Sequence, residues 1–486
     1  MNHHNDQISR ITTLLRKVYN SKRIDYNNIA VTYINSVTEA IFTSIIANRN
    51  GIYIARTPLR NALGRFGKRA KQTYWRDVLE ESEESLYNVL EVGTKIGGQS
   101  IISRIAVHNY KQIIETADVT QYIASIHAKL KDESDGVLTL SKLQIDVDNL
   151  ADYINNNLDD KQRNSTMDRN VDTATVLLRL ARACPNNEIP VLKKMSSFGR
   201  EYHSAPSLQG APAIIRKAAL GPHVTEIDIS NAVFTWMYNE VDDYTRTKLK
   251  AIANYLEHKE SVRSQLAKEI FGDVKNYDEK TSVKTLKTVM TSMGFGGRLN
   301  AGSGVYYNKQ GKLVELAFAQ AVKSPALRQK IIDHHFFSRF VRELNVVKKN
   351  ILPKYKAQLM QNEELLTTSG KLSHNKAMAW LYQHAEKDIM NKMVNELNLN
   401  VVLGVHDGVY VTDEIEERTV NRWMQSQWLM GKAQVKQINK QHADEHTIET
   451  APIELTSNSM LVDSTAYKSA ADLIYKLSQI KQDHHI

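Results

Sequence analysis

Cysteine is almost absent from this 486-residue sequence, because Cys184 is the only one. A single cysteine excludes an internal disulfide framework and a cysteine-based zinc cluster, and it fits a reducing compartment. Proline is also scarce, at nine residues. No apolar run approaches the ~20 residues that span a bilayer, and the N-terminal segment lacks the apolar core of a signal peptide. We therefore expect a soluble, cytoplasmic protein without a membrane partner.

The charge balance is basic. The chain has 63 Lys and Arg against 54 Asp and Glu, a net charge of +9 and a pI near 9.1. This balance suits a polyanionic partner without proving one. The length fits about two to four subdomains around a shared cleft.

Apolar spacing divides the chain into helical and strand-like regions. Residues 1 to about 195 have apolar residues three and four positions apart, which predicts mostly helix. A proline-containing segment then leads into a short strand-like run, Val224 to Ile229. Helical patterns resume from about Ala232 to Leu397, and a second strand pair follows around His406-Asp407. Two strand regions with an aspartate are thus separated by a long helical region.

These two aspartates are Asp228, at the end of the first strand, and Asp407, between the apolar runs of VVLGVHDGVYVTD (Val401 to Asp413). Asp407 is expected at a tight turn on a rigid hairpin. Nucleotidyl transfer needs two magnesium ions about 4 Å apart, and carboxylates on adjacent strands would bind them. Alternatively, each is an ordinary strand-end or turn aspartate.

A lysine-rich helix is predicted in KTSVKTLKTVMTSMGFGGR, Lys280 to Arg298. Lys280, Lys284 and Lys287 share one helical face, and Thr291 continues it. Such a ridge could bind a triphosphate, while Phe295 offers a flat surface for a template base pair. The alternative is a solvated lysine face with a glycine cap.

Taken in order, several short elements resemble motifs of family A DNA polymerases. The first is Gly199-Arg200 with Pro206, Leu208-Gln209 and Pro212, and it precedes Asp228-Ile229-Ser230, which is similar to the catalytic Asp-x-Ser. The later elements are Lys287 with Phe295-Gly296, Gln383 with Asp388-Ile389, and His406-Asp407. Together they cover residues 199 to about 413.

Other details resemble phage-type single-subunit RNA polymerases, which share this architecture. These are Gly199-Arg200-x-Tyr202, Gln209-Gly210 and Val289-Met290-Thr291. The resemblance therefore includes both branches of the right-hand polymerase superfamily.

The resemblance implies an α+β right-hand fold of thumb, palm and fingers, mostly helical with an antiparallel palm sheet. The expected parts are a helical, thumb-like N-terminal region (1–195), the first part of the palm (196–233), the fingers (234–345), and the second part of the palm with the C-terminal region (346–486).

The resemblance also implies roles for individual residues. Asp228 and Asp407 would bind two Mg²⁺ ions. Lys287, as a catalytic residue helped by Lys284, would neutralise the triphosphate and protonate the pyrophosphate leaving group. The other implied substrate contacts are Arg200 and Gln209 on the primer–template, Gln383 and His406 on the primer terminus, and Thr291, Phe295 and Val233 around the nucleotide.

Two positions bear on the choice of sugar. Family A DNA polymerases place a glutamate, which blocks a ribose 2′-OH, where this chain has Val233. The phage-type enzymes use a tyrosine hydroxyl, where this chain has Phe295, to favour ribonucleotides. We therefore expect the protein to accept both ribonucleotides and deoxyribonucleotides. Gly408 replaces the Glu or Ser usual after His-Asp, which leaves room near the primer end.

The N-terminal region contains one basic and aromatic segment, Arg56 to Asp77. Its Arg and Lys residues could bind backbone phosphates, and its aromatic residues could stack on unpaired bases. A solvated loop neutralised by the acidic run Asp77 to Glu84 is the alternative. No acidic pattern marks a proofreading exonuclease, so none is expected.

The sequence thus favours a template-directed polymerase of phage or plasmid type that makes RNA or primers on DNA. The expected partners are a DNA template, nucleoside triphosphates, the growing strand and an accessory template-binding protein. A family A-type DNA polymerase without proofreading is the main alternative. A metal phosphohydrolase would need further histidines at helical spacing, and the chain does not supply a convincing set. A non-catalytic nucleic-acid-binding protein would be expected to lose one of Asp228, Lys287 or Asp407, and all three are present.

Overall fold

The computed structural model describes most of the chain between residues 25 and 437. The described residues are 8–9, 12–13, 16, 25–46, 53–55, 89–96, 99–107, 114–115, 117, 119–132, 138–158, 165–203, 207–274, 277–300, 302, 305–307, 313–367, 369–406 and 408–437. Helices dominate these ranges, and every strand pairing within them is antiparallel. The predicted α+β class, mostly helical with antiparallel sheets, is therefore confirmed. No helix of this part of the chain is long and apolar enough to cross a membrane.

The N-terminal part combines helices with two small sheets. Its helices are α1 (Tyr26–Ile46), α2 (Val119–Asp132), α3 (Val147–Leu158) and α4 (Ser165–Arg182). One sheet has the order β1-β3-β2 and consists of β1 (Tyr53–Ala55), β2 (Val89–Ile96) and β3 (Gln99–Val107). The other has the order β4-β5-β6 and consists of β4 (Leu138–Gln144), β5 (Glu188–Met195) and β6 (Glu201–His203).

Helical spacing predicts mostly helix for residues 1–195 and does not predict these strands. In the sequence, β2 and β3 flank Gly97-Gly98, a dipeptide typical of hairpin turns. The basic and aromatic segment Arg56 to Asp77 lies outside the described residues, as does the acidic run to Glu84.

The sheet that carries Asp228 has four strands in the order β10-β11-β7-β12. They are β7 (Thr225–Ile229), β10 (Val401–Val405), β11 (Gly408–Val411) and β12 (Ala433–Gln437). In β7, Asp228 pairs with Gly408 on one side and Gln434 on the other. The two strand regions that the sequence predicts are therefore neighbours in one antiparallel sheet, and β12 completes it.

Helices fill the chain between β7 and β10, as the spacing predicts. Helix α5 (Ala213–Leu220) precedes β7, and the helices that follow it are α6 (Ala232–Glu240), α7 (Asp243–Arg246), α8 (Lys250–Phe271), α9 (Glu279–Gly294), α10 (Ala317–Ala321), α11 (Pro325–Asp333), α12 (His335–Lys354), α13 (Lys356–Met360) and α14 (His374–Glu396). A short hairpin of β8 (Val305–Tyr307) and β9 (Leu313–Glu315) interrupts them, and α15 (Glu417–Gln427) leads into β12.

The two faces of the four-stranded sheet differ. Ile227 and Ile229 are buried in a core formed with the helices between β7 and β10. Leu403 and Tyr410 instead belong to the core of the N-terminal helices. Successive residues of a strand point to opposite faces, so Asp228 lies on the face opposite to Ile227 and Ile229.

Candidate active site

Asp228 is half-buried near the end of the inner strand β7. Its partner across the sheet on β11 is Gly408, and a Cβ added there would lie 3.5 Å from Oδ1 of Asp228. The glycine therefore leaves the space beside the carboxylate open.

The electrostatic surroundings of Asp228 favour a cation. Burial and the charge of Glu226 raise the pKa of Asp228 to about 6, against the opposing charges of Lys287, Lys436 and Lys259. Glu226 lies two residues earlier on the same strand, hence on the same face. The two carboxylates repel each other, and a cation bound at Asp228 would reduce this repulsion.

The hairpin between β10 and β11 has a two-residue connection. Val405 pairs with Gly408, and His406 has a φ of 49°, which two-residue hairpin turns commonly require. Asp407, the second residue of the connection, lies outside the described residues. Within the ranges that the structure describes, no group of three or more His, Cys, Asp or Glu residues is placed to hold a metal ion. The two-metal site therefore remains a prediction.

His406, in the turn between β10 and β11, lies beside Tyr202 of β6. Its ring meets the ring of Tyr202 edge-on, with 5.6 Å between the centroids. Desolvation, and then the charges of Arg200, Arg216 and His203, lower the pKa of His406 to about 4, although part of the residue stays exposed. The imidazole is therefore neutral near pH 7 and can donate or accept a hydrogen bond.

The predicted lysine helix is α9. Asp278 caps its first turn by accepting a hydrogen bond from the backbone N–H of Thr281 at 2.8 Å. Its buried face consists of Ser282, Leu286, Val289, Met290, Met293 and Gly294. On the other side Lys280, Lys287 and Thr291 are exposed and Lys284 is half-buried. The charge of Lys287 opposes the rise in the pKa of Asp228, so this lysine lies near the carboxylate.

Phe295 ends α9 and packs on Tyr382 and on Arg200, which is another candidate residue. Its ring lies edge-on to Tyr382, with 5.4 Å between centroids, and the guanidinium carbon of Arg200 lies 5.8 Å from its centre. The ring is half-buried. Only part of it is therefore available to stack on a base.

Val233 packs against the same end of α9. It is buried, and a Cβ added at Gly294 would lie 2.9 Å from its Cγ1. The position that the resemblance assigns to sugar selection is thus adjacent in space to the residue before Phe295.

Arg200 is buried in an ion pair and does not face outward. Its Nε and Nη2 donate to the two carboxylate oxygens of Glu386 at 2.7 and 2.9 Å, and Tyr382 donates its hydroxyl to the same carboxylate. Arg200 is 8% exposed and Glu386 1% exposed. This differs from the expected contact with a primer–template, because each buried charge is stabilised by the other.

The two predicted glutamine contacts are also directed into the protein. Gln209 donates from Nε2 to the backbone carbonyls of Glu201 and Gly404, at 3.1 and 3.3 Å, and its Oε1 accepts from the N–H of His203 at 3.0 Å. Gln383 is 1% exposed, and neither atom of its amide has a hydrogen-bond partner among the described residues. Neither side chain presents its amide to a bound strand in this conformation.

Lys259 is a residue of the site that sequence patterns did not identify. Helix α8 is interrupted at His258, which has non-helical backbone angles, and the next residue, Lys259, donates from Nζ to Oγ of Ser230 at 3.2 Å. Burial lowers the pKa of this half-buried lysine. Lys259 and Ser230 line a cavity of about 310 Å³. No local motif marks a lysine in the middle of a helix, so only tertiary structure identifies it.

Comparison with known proteins assigns no family. No protein-family model matches the sequence, and no curated protein matches it. Among solved structures, a similarity is found with the POL domain of Pol1 from M. smegmatis, in complex with DNA primer-template and dNTP. It covers 89% of this chain and 72% of that chain, with 13% identity and a TM-score of 0.37. A similarity this distant is not evidence for function.

Proposed function

We propose that the protein is a template-directed nucleic-acid polymerase that transfers nucleotides by two-metal chemistry. The observation that carries the proposal is the pairing of Asp228 with Gly408 in one sheet. Gly408 follows His406-Asp407 directly in the chain, and the proposal takes Asp407 as the second carboxylate. Lys287 and Lys259 act on the same carboxylate.

The donor chemistry around Asp228 fits magnesium. Asp228 and Asp407 would hold the two ions, since carboxylate oxygens are preferred magnesium ligands. Burial, and then the charge of Glu226, raises the pKa of Asp228, and a bound cation would stabilise its ionised form. When bound, two such ions would activate the attacking hydroxyl and stabilise the charge of the triphosphate.

The cationic residues of this chain would bind the triphosphate. Lys287 and Lys284 would neutralise the phosphates from α9, and Lys287 would protonate the pyrophosphate leaving group. Lys259 would supply a further positive charge from α8, where it bonds to Ser230. The exposed part of Phe295 would contact the nascent base pair.

This function implies the right-hand architecture. Residues 196–233 and 346–486 would contain the palm, 234–345 the fingers and 1–195 a thumb-like region. Arg200, Gln209 and Gln383, whose side chains are directed inward, would support the primer site through the positions of His406 and Phe295.

The sugar preference follows from two side chains. Val233 cannot hydrogen-bond to a ribose 2′-OH. It stands where family A DNA polymerases have the glutamate that blocks this hydroxyl, and it packs against Gly294. This supports synthesis of RNA or primers on DNA in a phage- or plasmid-type system. Phe295 lacks a hydroxyl, which supports the alternative, a DNA polymerase without proofreading.

The test is extension of a primed DNA template with Mg²⁺ and either four NTPs or four dNTPs. We expect extension with both sugars and no incorporation by Asp228→Ala or Asp407→Ala, while the exposed Asp273→Ala serves as the matched control. Exclusive use of dNTPs would favour the DNA polymerase. Absence of incorporation with any divalent metal would overturn the proposal and favour a non-catalytic nucleic-acid-binding protein.

A further inference from the structure

A second pocket, of about 670 Å³, lies beside the turn that follows α9. Its walls come from three segments, 293–299, 341–348 and 367–375. It shares no lining residue with the cavity next to Ser230. We refer to it as the Lys348 pocket. Its volume is in the range of about 300–1,000 Å³ that is typical of ligand sites.

The Lys348 pocket carries positive charge that no acidic residue of its described lining neutralises. Arg298 is exposed at the pocket and Lys348 is half-buried in it, and the described lining contains no acidic residue. Burial, and then the charge of Arg298, lowers the pKa of Lys348. An anion bound between the two cations would relieve their mutual repulsion and replace lost hydration.

The rest of the lining is partly apolar. Met293 and Leu344 are buried lining residues, and Val341 and Leu372 are partly buried. Thr367 and Ser373 add hydroxyl groups. A guanidinium and an ammonium suit a phosphate, whereas the apolar residues suit a flat, weakly polar group attached to it.

The pocket is also connected to Phe295. Lys348 donates from Nζ to Oδ1 of Asn375 at 3.0 Å, and Asn375 donates from Nδ2 to the carbonyl of Gly296 at 2.8 Å. Gly296 has a φ of 86°, and a Cβ there would lie 2.5 Å from Cγ of Asn375, so only glycine permits this close approach. A ligand at Lys348 would therefore lie two hydrogen bonds from the residue after Phe295.

We propose that the Lys348 pocket binds the phosphate of a nucleotide, with Lys348 and Arg298 on the phosphate and the base against the partly buried Val341 and Leu372. The choice of a nucleotide over other anions rests on the proposed function, because the pocket borders the turn that carries Phe295. A nucleotide of single-stranded DNA and a free nucleoside monophosphate share this chemistry.

The test is isothermal titration calorimetry with the full chain, in EDTA so that no divalent cation takes part. The probes are the trinucleotide d(pTpTpT), thymidine 5′-monophosphate, and thymidine as the phosphate-free control. We expect the phosphate-bearing probes to bind, and Lys348→Met and Arg298→Gln each to weaken them by about tenfold or more. Lys349→Met, at the exposed neighbouring position of α12, should bind as the unmodified chain does.

The two phosphate-bearing probes separate the sources of the ligand. Tighter binding of the trinucleotide indicates a strand, and equal binding indicates a free nucleotide. Unchanged affinity in both Lys348→Met and Arg298→Gln, or equal binding of thymidine, would overturn the site. Restored binding in Lys348→Arg would show that charge, not folding, explains the loss. If the protein incorporates nucleotides but the two substitutions do not weaken probe binding, this site alone is contradicted. If the substitutions weaken probe binding but the protein does not incorporate nucleotides, the proposed function alone is contradicted.

Discussion

Lys259 bonds to Ser230, two residues beyond Asp228 on the chain, from a helix that is interrupted immediately before it. The contact holds a half-buried ammonium group close to the carboxylate that the proposed chemistry depends on. Lys287 approaches the same carboxylate from α9, so that two helices contribute positive charge to Asp228.

Replacing Lys259 with methionine should impair triphosphate binding, because the stem is kept and the charge is lost. We expect KM for the nucleoside triphosphate to rise about tenfold, with a smaller change in kcat, in steady-state primer extension. Lys268→Met, at an exposed position of the same helix, is the matched control. An unchanged KM in Lys259→Met would exclude Lys259 from the triphosphate site.

Asp228→Asn should stabilise the metal-free protein while abolishing activity. The pKa of Asp228 is raised to about 6 in the folded state, so folding disfavours the ionised form. The wild-type chain should therefore lose stability as pH rises from about 4 to about 6 and keep that deficit above 6, whereas the variant should not. We expect a difference of about 1–3 kcal/mol at pH 7 and none below pH 4, measured by urea unfolding in EDTA.

Magnesium provides a second measurement on the same variant. Added Mg²⁺ should raise the melting temperature of the wild-type chain more than that of Asp228→Asn, because the ion binds the carboxylate. The exposed Glu414→Gln should respond as the wild type does. Equal responses of Asp228→Asn and the wild type would remove Asp228 from the metal site.

The ion pair of Arg200 and Glu386 should be needed for folding stability. Arg200→Met leaves a buried carboxylate without its partner and should cost about 3–5 kcal/mol in urea unfolding. The double variant Arg200→Met with Glu386→Met should lose less than the sum of the two single variants. Arg422→Met, at an exposed position, is the control. Additive losses would mean that the two charges do not stabilise each other.

Val233→Ala should widen sugar acceptance. Removing the branched side chain opens space beside Gly294, the residue before Phe295, so the ratio of NTP to dNTP incorporation should rise severalfold. A stability cost of about 1–3 kcal/mol is expected from the cavity. Val233→Glu is a poorer test, because the position is 6% exposed and a buried carboxylate would destabilise the fold. An unchanged ratio in Val233→Ala would exclude Val233 from sugar selection.

The sequence allowed the sheet that carries Asp228 to be predicted in part. The apolar run around Ile227 and the two runs around His406-Asp407 show β-strand composition, and they are neighbours in the structure. Strand β12 has no comparable signal, since AQVKQ is short and mostly polar. The lysine face of α9 was predictable because a fixed helical period determines which residues share a face.

Contacts between distant elements were not predictable. Motif resemblance suggested that Arg200 and Gln383 contact nucleic acid, yet both are buried. Glu386, the partner of Arg200, lies 186 residues away in the sequence, and no local pattern relates the two. Lys259 was missed for the same reason, since its partner Ser230 belongs to another element.

The position of β7 between β11 and β12 has a consequence for the order of synthesis. On the ribosome, the helices from Ala232 to Glu396 emerge after Asp228 and before Gly408. Until β11 and β12 follow, β7 has neither of its hydrogen-bonded neighbours, and both of its edges lack pairing partners. The nascent chain would therefore contain Asp228, Lys259 and Lys287 for many seconds before a site exists. Any chain that ends before β10 should remain inactive.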